Sequence, residues 1–122
     1  MAGADIKIVS PEYNNDLDLF MPITIENLKE ALKKHPDIDA LYLTSPNYEG
    51  LSVNYEEVKD LFKDKIVIVD EAHGAHFYFN KSFPKPAIPS GIDVVTNSVH
   101  KSLGGLNATA LIHVSKNSRI PA

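Results

Sequence analysis

Two short polar segments hold the residues best suited to chemistry in this chain. Residues 70–73 read Asp-Glu-Ala-His and directly follow a run of β-branched residues. Residues 98–101 read Ser-Val-His-Lys and follow the next apolar run along the chain. Carboxylates and imidazoles act as general acids and bases, and a lysine with a lowered pKa is a nucleophile toward carbonyl groups. The pattern therefore indicates acid–base chemistry around an amine that can form a Schiff base.

The apolar runs before these segments predict two strands, at 65–69 and 92–96. Short, uncharged, β-branched strands are typical of a buried parallel sheet, whose carboxyl edge is where α/β proteins bind ligands. Parallel strands end at the same edge of a sheet. We therefore expect Asp70 and Lys101 to face one cavity.

The remaining pattern alternates strands with helices and predicts an α/β fold with a mainly parallel sheet and flanking helices. Thr24 is the expected N-cap of a helix at 25–34 that ends at His35-Pro36, and Asn54 is the expected cap of a second helix. The segment between the last two strands is too short for a crossover helix, so that pair is antiparallel or joined by a tight turn. The other predicted strands are 6–9, 40–44 and 108–114.

Composition excludes several classes of protein. The 122 residues suffice for a single domain, 1–122, and their net charge of −4 disfavours a nucleic-acid partner. The chain has no cysteine, which excludes disulfides and thiolate metal sites. No apolar run approaches the length of a membrane helix, so we expect a cytoplasmic protein without a membrane partner.

Pyridoxal 5′-phosphate is a cofactor whose needs match these residues. It requires a lysine for its aldehyde, an acid for its pyridinium nitrogen and donors for its phosphate. Lys101, Asp70 and the pair Ser98 and His100 could meet these three needs.

At this point the chain resembles a known family. Residues 70–76 (DEAHGAH), 98–105 (SVHKSLGG) and 44–50 (TSPNYEG) are similar to the large domain of the Orn/Lys/Arg decarboxylases. These are fold-type-I pyridoxal-phosphate enzymes, related in fold to aspartate aminotransferase. The resemblance covers about residues 36–115 and implies decarboxylation of a small-molecule substrate: lysine, ornithine or arginine.

The resemblance also implies a role for each site residue. Lys101 would form the Schiff base and later move a proton, Asp70 would pair with the pyridinium nitrogen, and His73 would lie near the phenolic oxygen of the ring. These three are the expected catalytic residues. Four further residues would contact the cofactor at the ring face (Ala72), the phosphate (Ser98 and His100) and the ring oxygen (Ser45).

Family members are several hundred residues long, so the resemblance places this chain in the central part of a large domain. We therefore expect a partial domain with little or no activity by itself. Exposed sheet edges, and the pairing of large domains in the family, predict a homo-oligomer or self-association.

Two other functions fit part of the pattern. A strand ending in Asp-Glu-Ala-His is also the Walker B motif of DEAH-type nucleotide hydrolases, although the chain has no GxxxxGK[ST] loop to hold phosphates. A non-catalytic interaction fragment could also retain the same sheet. A metal site at His73, His76 and Glu71 is the weakest alternative, and we expect no metal.

Overall fold

The computed structural model describes residues 3–120, so the first and last two residues of the predicted domain lie outside the described residues. Within this range the chain forms six strands and three α-helices. In chain order these are β1 (Tyr13–Asn14), β2 (Leu19–Phe20), α1 (Ile25–Lys34), β3 (Ala40–Thr44), α2 (Tyr55–Leu61), β4 (Ile66–Asp70), β5 (Val94–Ser98), α3 (Val99–Ser102) and β6 (Ala110–Val114).

The main sheet has the strand order β3-β4-β5-β6. The strands β3, β4 and β5 run parallel to one another, whereas β6 pairs with β5 in the antiparallel direction. The prediction of a mainly parallel sheet is therefore confirmed, and the short last connection is explained by the antiparallel alternative. Strands β4 and β5 both end later than predicted, so Asp70 and Ser98 are the last residues of strands.

The strand predicted at 6–9 is wrong. Ile6 and Ile8 are 75% and 86% exposed, and the described residues give this segment no strand partner. Alternating apolar residues favour a strand only where a neighbouring strand can satisfy the backbone and another layer can cover one face. The hairpin of β1 and β2 forms instead, a short way along the chain.

Both predicted helices form, with the predicted caps. Thr24 closes a capping box with Asn27 at the start of α1, and the Asn54 side chain accepts hydrogen bonds from the first turn of α2. These bonds satisfy backbone N–H groups that a helix start leaves unpaired. None of the helices within residues 3–120 has the length and apolar character that a membrane span requires.

The two helices bury one face of the sheet. Leu28 of α1 and Val58 and Phe62 from the α2 region pack in one core with alternate strand residues. Those strand residues are Leu43, Val67, Val69 and Val95. The register places Thr44, Asp70 and Thr96 side by side on the opposite face, because neighbouring residues of a strand point to opposite sides. Burial of the valines thus fixes the direction in which Asp70 points.

Candidate functional site

A pocket of about 390 Å³ lies beyond the carboxyl ends of β4 and β5. It is lined by Tyr48, His73, Lys101 and Ser102. His73 follows β4 by three residues and Lys101 is in α3, which starts directly after β5. The parallel sheet therefore brings two of the predicted catalytic residues, His73 and Lys101, to the same pocket. Their chemical roles stay predictions.

Asp70 is held in place at the end of β4. Its Oδ1 accepts hydrogen bonds from the Ala72 N–H at 3.0 Å and from the Thr96 hydroxyl at 3.3 Å. Its carbonyl accepts the Ser45 N–H at 3.0 Å. Asp70 is not among the residues that line the pocket, so this pocket is not the shared cavity expected for Asp70 and Lys101.

Two predicted cofactor contacts are largely buried. Ala72 is in the tight turn after β4 and retains little exposed surface. Ser45 is almost fully buried, and its hydroxyl accepts the Val53 N–H at 3.1 Å and lies 3.2 Å from the Ser52 hydroxyl. Protein groups thus already occupy the Ser45 hydroxyl, and the residue does not line the pocket.

Ser98 and His100 flank the start of α3. The Ser98 hydroxyl makes no capping bond to the helix. His100 Nδ1 lies 2.9 Å from the Thr109 carbonyl, which can only accept a hydrogen bond, so Nδ1 carries a proton. This bond orients the ring and leaves Nε2 for another partner. Neither residue lines the pocket, although both adjoin Lys101.

Two pocket residues were not among the predicted site residues. Tyr48 is 87% exposed, and its ring centroid lies 5.6 Å from that of His73, with the planes tilted by 52°. The Ser102 hydroxyl is buried and has no hydrogen-bond partner among residues 3–120. The available signals were the loop at 44–50, which contains Tyr48, and the position of Ser102 beside Lys101. An unpartnered buried hydroxyl at a pocket wall is a candidate donor for a ligand.

Glu71 is a further residue whose importance the sequence did not reveal. It is 0% exposed, and its carboxylate accepts the Ala87 N–H at 2.9 Å and the Asn97 amide at 3.1 Å. Burial raises the pKa of Glu71, because removal from water disfavours its charged form. A carboxylate enclosed in this way does not face a metal ion and water. The arrangement therefore argues against a nucleotide hydrolase and against the metal site with His73 and His76.

Comparisons with known proteins identify the group to which this arrangement belongs. The family described as Orn/Lys/Arg decarboxylase, major domain, matches residues 1–122. An arginine decarboxylase of Bacillus subtilis is 35% identical over 115 residues, which are 93% of this chain and 24% of the relative. An arginine decarboxylase of Halalkalibacterium halodurans is 36% identical over 115 residues, 93% of this chain and 23% of the relative. The chain thus spans about a quarter of the length of these curated relatives.

Proposed function

The chain belongs to the Orn/Lys/Arg decarboxylase family, and on this premise we propose that it supplies the lysine and the acid of a pyridoxal-phosphate-dependent amino-acid decarboxylase. The substrate is a basic amino acid: arginine, lysine or ornithine. Arginine is the first candidate, because the relatives described above are named arginine decarboxylases. The sheet would be part of a large domain like that of other fold-type-I enzymes.

The observation that supports this proposal most strongly is the shared pocket of Lys101 and His73. Asp70 stands on the neighbouring strand end, with a carboxylate oriented by Ala72 and Thr96. An amine, an imidazole, a carboxylate and an unpartnered hydroxyl at one sheet edge are the kinds of group that pyridoxal phosphate needs. The residues present therefore fit the cofactor.

Lys101 would bind the cofactor's aldehyde and would hold the proton that the reaction later needs. Its side chain is exposed at the pocket, so it can reach a ligand without rearrangement of the core. When bound, pyridoxal phosphate supplies a ring that accepts the electrons released at the substrate carbon. The negative charge of Asp70 would keep a proton on the ring nitrogen, because an adjacent opposite charge favours a cation.

The other residues would bind and orient. The Ser98 hydroxyl can donate to a phosphate oxygen. The His100 ring is fixed through Nδ1, so its Nε2 would donate to a phosphate oxygen only when the ring carries a second proton. The Ser102 hydroxyl, at the pocket wall, is a third donor. His73 would contact the ring oxygen, and Tyr48 would hold His73 by ring contact.

Titration of the chain with pyridoxal phosphate tests the covalent role of Lys101. We expect an absorbance band at about 420 nm, which borohydride removes while it fixes the cofactor to the protein. Peptide mapping should then find the label on Lys101. Label spread over several exposed lysines, such as Lys63 and Lys116, would contradict the proposal.

A turnover assay with arginine, lysine and ornithine tests the decarboxylase activity. We expect little release of carbon dioxide from the 122-residue chain alone, since the chain spans about a quarter of its relatives. Robust turnover would show that activity does not need the parts of the relatives that lie outside the matched region. Absence of any cofactor binding would favour the non-catalytic interaction fragment instead.

A further inference from the structure

The buried carboxylate of Glu71 joins the two strand ends that hold the site. Its Oε2 accepts a hydrogen bond from Asn97 Nδ2 at 3.1 Å, and its main-chain carbonyl accepts one from the same nitrogen at 2.9 Å. Its Oε1 accepts the Ala87 N–H at 2.9 Å. We call Glu71, Asn97 and the Ala87 N–H the carboxylate clamp. It connects the end of β4, the end of β5 and the loop between them.

The clamp lies one residue away from the predicted cofactor contacts on both strands. Asp70 precedes Glu71, and Ser98 follows Asn97. Since successive residues of a strand point to opposite faces, the clamp occupies the buried side while Asp70 and Ser98 occupy the other. A change in the clamp would therefore move both contacts without removing either.

The surroundings of Glu71 show that the clamp is closely packed. A Cβ atom at Gly74 would stand 2.5 Å from Glu71 Cγ, so a side chain there would displace Glu71. A buried carboxylate is costly unless hydrogen bonds satisfy it, and here donors from two other parts of the chain do so. Burial and the nearby Glu71 also raise the pKa of Tyr55 and Tyr78, consistent with hydroxyls close to this carboxylate.

We infer that Glu71 is a positioning residue, which acts through Asn97 and the Ala87 N–H to set the spacing between Asp70 and the Ser98–Lys101 turn. This inference rests on the proposed function, because the spacing matters for a cofactor that contacts both sides. Among residues 3–120, none of the hydrogen bonds of Glu71 goes to a residue that lines the pocket. Its effect would be on how tightly the site holds its ligand.

Three variants test the inference: Glu71→Gln, Asn97→Ala and the double variant. Glutamine at 71 turns one acceptor oxygen into a donor, so it must face either Asn97 Nδ2 or the Ala87 N–H with a donor. We expect each single variant to raise the dissociation constant for pyridoxal phosphate about tenfold. The double variant should have about the same dissociation constant for pyridoxal phosphate as either single variant, because both changes break the same link.

Glu57→Gln is the matched control. Glu57 also accepts a hydrogen bond from an asparagine amide, Asn54 Nδ2 at 2.6 Å, but this pair is exposed on α2. The dissociation constant of the Glu57→Gln variant for pyridoxal phosphate should stay within about twofold of that of the unchanged chain. If Glu71→Gln lowers the melting temperature yet leaves the dissociation constant equally unchanged, Glu71 is merely structural and the inference is overturned.

Amide hydrogen exchange without cofactor provides a second readout. The Val99 N–H donates to the Thr109 carbonyl, and the Leu103 N–H donates to the Val99 carbonyl at the other end of α3. The Val58 N–H, which donates to the Asn54 carbonyl at the start of α2, is the reference. Breaking the clamp should speed exchange at Val99 and Leu103 about tenfold relative to Val58. Unchanged relative rates would overturn the inference, and Asn97→Ala decides the matter if Glu71→Gln does not fold.

The two readouts separate the two proposals. If the unchanged chain binds no pyridoxal phosphate, the proposed function fails, and the exchange rates alone decide whether Glu71 positions the turn. If the unchanged chain binds the cofactor and the clamp variants bind it equally well, the proposed function stands and the inference fails.

Discussion

The two halves of the candidate site differ in how firmly the protein holds them. At the end of β4, Asp70 is fixed by the Ala72 N–H and the Thr96 hydroxyl, and Glu71 beside it is fully enclosed. In α3, Lys101 is exposed and the buried hydroxyl of Ser102 has no partner among residues 3–120. The acid half is complete by itself, whereas the lysine half presents groups that are available to a ligand.

This difference suits the chemistry proposed for the site. An acid that only has to hold a charge benefits from a rigid position, because preorganised charges need no rearrangement during reaction. A lysine that binds an aldehyde and later moves a proton needs freedom to swing. Changes in the lysine half should therefore affect ligand chemistry, and changes in the acid half should affect stability as well.

The largest expected effect comes from Lys101→Met. Methionine cannot bind the aldehyde, so the covalent absorbance band and the borohydride-fixed label should disappear. Because Lys101 is exposed, the free energy of unfolding should change by no more than about 0.5 kcal/mol. Absorbance titration and urea denaturation measure the two quantities. Lys116→Met, at another exposed lysine, is the control and should retain the band.

A large loss of stability is expected from Val69→Ala, directly before Asp70. Val69 is fully buried, so the truncation should reduce the free energy of unfolding by about 2–3 kcal/mol. Leu106→Ala removes a larger side chain, but one that is 85% exposed, and should change it by about 0.5 kcal/mol or less. Similar losses in urea denaturation of both variants would disprove the difference between a packed acid half and an open lysine half.

The pH dependence of stability should reveal the burial of the Glu71 carboxyl group. Its pKa in the folded chain is raised above the ordinary value of 4.5, so the folded state binds this proton more tightly than the unfolded state. The stability that this proton contributes is fully present below pH 4.5 and is lost as the pH rises through the raised pKa.

Comparison with Glu71→Gln isolates this effect, because glutamine does not titrate. The free energy of unfolding of the unchanged chain minus that of the variant should fall as the pH rises from 4.5 and then level off. Urea denaturation at a series of pH values measures this difference. A difference that grows with pH would mean that the folded state favours the ionised carboxylate.

The smallest expected effect comes from Thr96→Val. Valine keeps the shape but removes the hydroxyl that donates to Asp70 Oδ1, which should lower the free energy of unfolding by about 1 kcal/mol. Thr44→Val is the matched control, because Thr44 pairs with Asp70 from the other side and its exposed side chain makes no hydrogen bond among the described residues. Urea denaturation measures both variants. Equal losses of unfolding free energy would show that the hydrogen bond to Asp70 adds no stability.

Much of the fold follows from local rules. The caps Thr24 and Asn54 and the ending of α1 at His35 depend on residues a few positions apart, so the sequence alone predicts them. The shared edge of β4 and β5 was predictable as well, because parallel strands end at one edge. The pair that the sequence named was Asp70 and Lys101, whereas the residues that share the pocket are His73 and Lys101.

The wrong strand at 6–9 and the missed role of Glu71 have one cause. Residues 6–9 have the alternation of a strand, but a strand also needs a neighbour, and the neighbour is a property of the whole fold. The state of each polar group depends on distant residues in the same way. Glu71 meets Ala87 across 16 positions and Asn97 across 26, and no local pattern encodes those contacts.

By itself, the sequence determined α1 and α2 with their caps and the four strands of the main sheet, because periodicity and capping act over a few residues. Only the tertiary structure decided which side chains at the carboxyl edge of the sheet remain available. It enclosed Glu71, engaged the hydroxyl of Ser45 and left Lys101 exposed. The physical reason is that burial and hydrogen-bond partnership are set by packing between segments far apart in the chain.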